Sequence, residues 1–257
     1  MIELNRIYNE DCLEGMKRMP DGSVDMILCD LPYAVTANQW DSIIPFDSLW
    51  EQYERVISEN GAIVLTAQQP FTSSLINSNP KLFKHEWIWV KSKPTGHMNA
   101  KRMPMRKHES VLVFSKKSPT YHPQGLKKTN KLIKRTDHGN YGEGAGKASV
   151  QKFTGYPNTI LNFNNVMKKQ LHPTQKPVEL FEYLIKTYTN EGETVLDNCI
   201  GSGTTAIACI NTNRNFIGFE IDKHYCDIAN ERIRKALADS TRKDYDEMKV
   251  CVGKCNT

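Results

Sequence analysis

Seven short apolar runs, rich in β-branched and aromatic residues, constrain the fold of this chain more than any other feature. Continuous apolar runs of this length are typical of strands buried on both faces of a parallel sheet. Amphipathic patterns at Trp50–Ile57, Pro177–Tyr188 and Tyr225–Leu237 predict helices that alternate with the strands or follow them. The alternation predicts an α/β fold, a doubly wound and mostly parallel seven-stranded sheet. The predicted strands are Arg6–Asn9, Val24–Cys29, Ala62–Thr66, Trp87–Val90, Ser110–Phe114, Thr194–Leu196 and Phe216–Phe219.

Charge is divided unevenly along the chain. The formal net charge is +5, but residues 81–170 carry 19 Lys or Arg against 4 Asp or Glu, which leaves the remainder acidic. Clustered cations favour a polyanionic partner, because neutralised phosphates release their counterions. Nucleic acid is the leading partner, and an anionic membrane surface is second. A solvated basic loop with no partner stays open as an alternative.

Residues 115–170 interrupt the alternation of strands and helices. They show little periodicity and contain the glycine-rich stretch His138–Gly146. Such a long segment inside a compact domain is usually functional. We therefore predict a basic insert at 115–170 within a domain formed by 1–114 and 171–240, followed by a polar tail at 241–257. The aromatic residues dispersed through the insert are Tyr121, Tyr141, Phe153, Tyr156 and Phe163.

Several protein classes are disfavoured by the sequence. No apolar run approaches the roughly 18 residues needed to cross a bilayer, and the first residues contain no apolar signal segment. The seven cysteines include no CxxC pair, which argues against a disulfide scaffold and against a zinc ribbon. We expect a cytoplasmic protein with reduced thiols, no membrane association and no metal.

The segment Thr194–Thr205, TVLDNCIGSGTT, predicts a strand, an acid at its carboxyl end, and a Gly-x-Gly turn that opens a helix. In open α/β sheets, ligands bind outside the carboxyl ends of the strands, where glycines let the backbone approach closely. The next strand ends at Glu220, whose carboxylate can accept hydrogen bonds from a ribose diol. This pattern predicts a site for a nucleoside-containing cofactor. A nicotinamide dehydrogenase would fit the same glycines.

A second predicted strand, in Asp25–Tyr33 (DMILCDLPY), ends abruptly at Asp-Leu-Pro-Tyr. Pro32 removes a backbone donor and favours extended geometry at Leu31. The Leu31 carbonyl and the Asp30 carboxylate can then lie side by side and accept the two N–H groups of a heterocyclic amine stacked on Tyr33. The alternative is a simple turn in which Asp30 is a cap and Tyr33 packs.

Together these residues resemble the S-adenosylmethionine-dependent DNA amino-methyltransferases, specifically their circularly permuted β-group. Motif order carries the resemblance: DLPY at 30–33 precedes HPTQKP at 172–177, which precedes DNCIGSGTT at 197–205. NEDC at 9–12 is similar to the family's adenine-contacting motif. The resemblance covers about 1–115 and 171–238, and it implies a methyltransferase-type, Rossmann-like sheet with a target recognition region at 115–170.

The resemblance also implies roles for individual residues. Gly201 and Gly203 would pass beneath the cofactor, and Lys176 would hold its methionine carboxylate. Cys199 stands where a phenylalanine is common, so packing on the cofactor adenine would be looser. The catalytic motif would be Asp30, Leu31, Pro32 and Tyr33. The cofactor-binding set would be Asp11 (adenine amine), Cys12, Asp30, Thr174 and Lys176 (carboxylate), Asp197, Cys199, Gly201, Ser202, Gly203, Thr204 and Glu220 (ribose).

The implied reaction is methyl transfer from S-adenosylmethionine to the N6 amine of an adenine flipped out of double-stranded DNA. N4 methylation of cytosine is the alternative on the same scaffold. Asp30 favours adenine, because serine is usual there for cytosine in this resemblance. An RNA methyltransferase and a non-catalytic DNA-binding module are weaker alternatives.

The basic block supplies the predicted DNA contacts, and the insert's aromatic residues would fill the vacated base stack. A homodimer and a cognate restriction endonuclease are further partners that the resemblance suggests. The predicted phosphate-binding residues are Lys101, Arg102, Arg106, Lys107, Lys127, Lys128, Lys134 and Arg135.

Overall fold

The computed structural model describes residues 2–33, 43–134, 148–166 and 175–254. The strands in these ranges are β1 (Arg6–Tyr8), β2 (Val24–Asp30), β3 (Ile57–Ala67), β4 (Phe83–Thr95), β5 (Arg106–Phe114), β6 (Lys127–Lys134), β7 (Ala148–Thr154), β8 (Ile160–Phe163), β9 (Thr194–Asp197) and β10 (Asn215–Phe219). The α-helices are α1 (Cys12–Lys17), α2 (Phe46–Val56), α3 (Phe71–Ser78), α4 (Val178–Tyr188), α5 (Thr204–Asn211) and α6 (Lys223–Lys254). A short 3-10 turn spans His97–Asn99.

Eight strands form the main sheet, in the order β1-β10-β9-β2-β3-β5-β4-β8. Neighbouring strands are parallel except around β5, which runs antiparallel to both β3 and β4. The α/β fold and the mostly parallel sheet are therefore confirmed. The prediction of seven strands was wrong by one, and Ser110–Phe114 is not a parallel strand.

Both differences have a local cause. Residues 96–105 join β4 to β5, and so short a connection suits antiparallel strands, whereas a parallel crossover needs a dozen or more residues. The added strand, β8, pairs with β4 and comes from the predicted insert. It has four residues, of which only Leu161 is buried, so it gives no clear periodic signal.

The main sheet is covered on both faces, which explains its continuous apolar runs. In β2, Met26 and Leu28 pack on one face with residues of α4, α5 and α6. Ile27 and Cys29 pack on the other face with residues of α1, α2 and α3. A strand buried on both faces needs apolar side chains at every position, as the run Met26–Cys29 has.

The chain order reverses between β9 and β2. From β2 the chain continues to β3 on one side, whereas from β9 it continues to β10 on the other. β2 and β9 are parallel neighbours, with Ile27 opposite Leu196. Their carboxyl ends, at Asp30 and Asp197, therefore share one edge of the sheet at a topological switch point, where open α/β sheets bind ligands.

The predicted insert contributes a separate two-stranded antiparallel ribbon, β6 and β7, besides β8. At the other end of the chain, α6 continues to Lys254, so most of the predicted polar tail at 241–257 is helical. No proline occurs there and no glycine precedes Gly253, so nothing local ends the helix after Leu237. In the described part of the chain, no helix is both long and apolar enough to span a membrane.

Candidate active site

Asp30, the last residue of β2, is surrounded by three hydrogen-bond donors. The Tyr33 hydroxyl donates to Asp30 Oδ1 at 2.6 Å, and the Thr66 hydroxyl donates to the same oxygen. The Lys176 ammonium lies 2.5 Å from Asp30 Oδ2. Both carboxylate oxygens are thus engaged, although the side chain is still 20% exposed.

The neighbours of Asp30 hold the DLPY segment in place. Leu31 is buried in the core, so its backbone carbonyl is the polar group it can offer to a ligand. The Tyr33 ring lies against Phe71, with centroids 5.0 Å apart. Burial, and then the charge of Asp30, raises the pKa of Tyr33 well above its usual value, so its hydroxyl remains a donor.

A chain of alternating charges extends from Asp30 into the protein. Lys176 also lies 3.6 Å from Glu109 Oε2, and Glu109 Oε1 lies 3.0 Å from the Lys91 ammonium. Burial alone would lower the pKa of Lys176, but the charges of Asp30 and Glu109 together raise it. Burial likewise opposes ionisation of Glu109, but Lys176 and Lys91 lower its pKa. Lys176 and Glu109 are therefore both charged at neutral pH.

The turn after β9 is fixed by hydrogen bonds that involve the side chains of Asp197, Thr205 and Arg232. Asp197 is buried and accepts the backbone N–H of Cys199 at 3.1 Å and the hydroxyl of Thr205. Burial raises the pKa of Asp197 to about 7. From α6, Arg232 donates to the carbonyl of Ser202 at 2.5 Å. These contacts rigidify the turn that opens α5.

Gly203 caps α5 with φ +84°, a left-handed conformation that side chains rarely adopt. A Cβ at this position would lie 2.9 Å from the Cβ of Ala229. The structure therefore gives Gly203 a packing role against α6, in addition to the predicted approach to a cofactor. Thr204, the first residue of α5, is buried.

Glu220 follows β10 and lies beside the glycine turn. One carboxylate oxygen accepts the backbone N–H of Gly201 at 2.8 Å, and the other accepts that of Asp222 at 2.8 Å. Burial raises the pKa of Glu220. Asn9 donates to the carbonyls of Glu220 and Ile221, which ties β1 to this tip.

The tip of β10 also presents an apolar surface. Ile221 is 63% exposed directly after Glu220. A carboxylate that can accept from a diol, next to an exposed aliphatic side chain that can cover a flat ring, fits a nucleoside. The residues present at this edge therefore fit the cofactor that the sequence predicts.

Asp11 and Cys12 belong to the start of α1. Asp11 caps the helix, because its Oδ1 accepts the backbone N–H groups of Leu13 and Glu14. Cys12 is buried, and the Asn198 amide nitrogen lies 3.6 Å from its sulfur and 3.5 Å from that of Cys199. A hydrogen bond between the two thiols lowers the pKa of Cys12. These contacts place the start of α1 beside Asn198 and Cys199, which precede the glycine turn.

The predicted site residues fall into three groups. Asp30, Lys176, Asp197, the glycine turn and Glu220 lie at one edge of the sheet. The predicted phosphate-binding residues that are fully described are exposed, at Lys101, Arg102, Arg106, Lys107, Lys127 and Lys128. Thr174, Arg135 and the side chain of Lys134 lie outside the described residues.

Sequence reasoning missed Glu109, Lys91, Thr66 and Ile221. Thr66 lies opposite Asp30 in the β2–β3 register, and Glu109 is an acid at the start of the apolar stretch of β5. A charged residue at the start of a buried apolar stretch, such as Glu109, indicates a buried ion pair. The sequence does not reveal which residue is its partner.

Comparison with known proteins agrees with this geometry. A family model described as DNA methylase, the N6/N4 methyltransferase family, matches residues 24–231. Type II methyltransferase M.HpaI of Haemophilus parainfluenzae is 26% identical, over 97% of this chain and 79% of that protein. Type II methyltransferase M1.MboII of Moraxella bovis is 28% identical, over 90% of this chain and 96% of that protein.

Solved structures show the same architecture. The M1.HpyAVI–SAM complex is 26% identical, with a TM-score of 0.60 over 88% of this chain and 98% of that chain. PvuII DNA methyltransferase, which is cytosine-N4-specific, has a TM-score of 0.64 over 92% of each chain. At 15% identity the PvuII likeness shows the fold alone. Because the matched family region spans most of the chain and includes both the Asp30 and the Gly201 tips, this protein belongs to the DNA methylase family.

Proposed function

We propose that this protein transfers a methyl group from S-adenosylmethionine to the N6 amine of adenine in double-stranded DNA. One observation carries the proposal. The carboxylate of Asp30 and the glycine turn after Asp197 lie at the carboxyl ends of two adjacent parallel strands, β2 and β9. An amine acceptor and a nucleoside site thus share one crevice at the switch point of the sheet.

The cofactor site consists of the β9 and β10 tips and the start of α1. Glu220 binds the ribose hydroxyls, Ile221 covers one face of the adenine, and the turn with Gly201 and Ser202 lies along the methionine part. Lys176 binds the carboxylate of that part. When bound, S-adenosylmethionine supplies an electrophilic methyl group attached to a cationic sulfur.

The target site consists of Asp30, the Leu31 carbonyl and Tyr33. An aromatic amine is a weak nucleophile because its lone pair is delocalised into the ring. Hydrogen bonds from its two N–H groups to Asp30 and to the Leu31 carbonyl favour a more tetrahedral nitrogen with an available lone pair. Asp30 or water then takes the proton that the methylated nitrogen readily loses.

The choice of adenine rests on the chemistry of position 30. A carboxylate stands there, whereas serine is usual for cytosine enzymes in the resemblance described above. The fold does not separate the two, since PvuII DNA methyltransferase, which is cytosine-N4-specific, shares it. N4 methylation of cytosine is therefore the alternative outcome of the test below.

The DNA-binding face lies on the β4–β5 loop and the β6–β7 ribbon. Lys101 and Arg102 are exposed on the loop that follows β4, whose carboxyl end lies at the same sheet edge as Asp30. Met98, in that loop, is 98% exposed and gives the basic loop an apolar tip. We assign phosphate contacts to the cations and base contacts to the apolar tip.

The predicted role of the insert's aromatic residues needs revision. Phe163 packs against the core, and Tyr121 lies against Tyr188, with centroids 6.1 Å apart. The packing of Phe163 argues against a role in the DNA stack, whereas Tyr121 is still 44% exposed. Tyr156 remains a candidate because it is 60% exposed, and Tyr141 lies outside the described residues. The homodimer, the cognate endonuclease and the cytoplasmic location stay predictions.

One experiment tests the proposed function directly. Purified protein is incubated with methyl-labelled S-adenosylmethionine and DNA of mixed sequence, and the modified nucleoside and its flanking bases are identified. N6-methyladenine in a defined sequence is the expected product. N4-methylcytosine would establish the alternative, and unlabelled DNA would rule out both.

A further inference from the structure

Both oxygens of the catalytic carboxylate accept hydrogen bonds before any target arrives. Asp30 Oδ1 accepts from Tyr33 and Thr66, and Asp30 Oδ2 is paired with Lys176 at 2.5 Å. Under the proposed function, Asp30 must accept a hydrogen bond from the target amine. A charge-assisted bond to a buried ammonium competes strongly with a neutral amine. Movement of Lys176 away from Asp30 would therefore strengthen the hydrogen bond that the amine can form there.

The structure holds a second position for this ammonium. Glu109 Oε2 lies 3.6 Å from Lys176 Nζ, beyond hydrogen-bond length. It is buried and, among the described residues, has no hydrogen-bond partner. A buried carboxylate oxygen without a donor is costly, so it should attract the nearest one. A movement of about 1 Å would bring the ammonium to the usual 2.7–2.9 Å from Glu109.

Glu109 itself is held firmly in place. Its other oxygen accepts from Lys91 at 3.0 Å, and Lys91 is only 3% exposed. Lys91 also donates to Thr95 at 3.1 Å, near the carboxyl end of the same strand. Glu109 lies on β5, within the register that pairs β5 with β4. It is therefore a fixed acceptor, and Lys176 is the group that moves.

We propose that Glu109 is a positioning residue for methyl transfer, which receives the Lys176 ammonium when the cofactor binds and so frees Asp30 for the target amine. This inference rests on the proposed function. The carboxylate of the cofactor's methionine part attracts the ammonium away from Asp30. Asp30 is thus released only when a molecule that carries this carboxylate, S-adenosylmethionine or S-adenosylhomocysteine, is bound, so the cofactor must bind before the target amine.

The test measures the contact between Asp30 and the amine. DNA carrying the mapped target sequence is prepared with the target base intact or with an analogue that lacks the exocyclic amine. Affinities for both are measured with and without S-adenosylhomocysteine. The ratio of the two affinities reports the amine contact, and it is independent of turnover.

For the wild type with S-adenosylhomocysteine present, we expect the amine-bearing DNA to bind about tenfold more tightly than the analogue DNA. Without S-adenosylhomocysteine, we expect the two DNAs to bind equally. Lys176→Met should show the preference without S-adenosylhomocysteine. Glu109→Gln keeps an acceptor for Lys91 but loses the charge. This variant should lose most of the preference for amine-bearing DNA, and its single-turnover rate should fall about tenfold. Its affinity for S-adenosylhomocysteine, measured by calorimetry without DNA, should change less than threefold.

Controls separate this role from a structural one. Glu86→Gln removes a carboxylate from β4 outside the charge chain and should behave as the wild type. Glu109→Asp should restore part of the rate. Thermal unfolding shows whether each variant is folded, and Lys176→Met provides the test if Glu109→Gln does not fold.

Two results would overturn the inference: a Lys176→Met variant that still needs S-adenosylhomocysteine to show the preference, or a Glu109→Gln variant that matches the wild type. If the wild type itself methylates no DNA, the proposed function fails instead.

Discussion

The target side and the cofactor side of the crevice are built from different kinds of contact. Around Asp30 the contacts join side chains, and one of them is an ion pair with Lys176. Around Glu220 the partners are backbone N–H groups, from Gly201 and Asp222. Side chains can exchange partners by rotating, whereas backbone groups in a turn cannot. The cofactor side is preorganised, and the target side can be rearranged.

This difference suits the two ligands. A cofactor site serves one small molecule at every turnover, so rigidity lowers the entropy lost on binding. The target site accepts a base only after the base leaves the DNA helix. Until the base arrives, Lys176 is a replaceable hydrogen-bond partner for the Asp30 carboxylate.

Asp30→Ala should lower the rate of methyl transfer by about a thousandfold, because it removes the acceptor that orients the amine. Its affinity for the cofactor, measured by calorimetry, should stay within a few-fold of the wild type, since the backbone hydrogen bonds of the cofactor side do not involve Asp30. Asp21→Ala, which removes an exposed carboxylate just before the same strand, is the control. Wild-type turnover in Asp30→Ala would contradict the assigned role.

Gly203→Ala should lower the free energy of unfolding by about 1–3 kcal/mol, because it combines an unfavourable φ with a contact on Ala229. Gly192→Ala is a matched control: its φ is +81° but a Cβ there would meet nothing within 4 Å. Chemical denaturation of both variants separates packing from backbone strain. Equal losses of unfolding free energy in the two variants would contradict the packing role of Gly203.

Glu220→Gln should weaken cofactor binding by about tenfold, because an amide is a poorer acceptor for the ribose diol than a carboxylate. The rate at saturating cofactor should not change, since Glu220 is held by backbone N–H groups of the cofactor side. Glu191→Gln, at the opposite edge of the sheet, is the control. A lower saturated rate with unchanged affinity would show that Glu220 acts on the target side instead.

Replacing Lys127 and Lys128 with Gln should weaken DNA binding a few-fold and reduce the slope of log affinity against log salt by about one for each lost phosphate contact. Adding Lys134 and Arg135 should extend both effects. Lys223 and Lys235, exposed on α6, provide control substitutions. An unchanged slope would place the DNA elsewhere on the protein.

Prediction from the sequence was most reliable where a signal is local. The continuous apolar runs of β2 and β9 identified strands buried on both faces, and Pro32 and the glycines marked where each strand ends. The direction of β5 depended on the length of the β4–β5 connection, and β8 was too short to show a pattern. Glu109 and Thr66 were missed because their importance comes from neighbours far away in sequence.

The amino-acid sequence alone determined the α/β class, the strand tips and the chemical groups at each tip, because these follow from local patterns of burial and from residue type. Only the tertiary structure decided that Lys176 pairs with Asp30 and that Gly203 packs on Ala229. It also decided that one buried oxygen of Glu109 has no hydrogen-bond donor among the described residues. Those facts depend on contacts of 2.5 to 3.6 Å between groups that lie far apart along the chain, and hydrophobic periodicity carries no information about them.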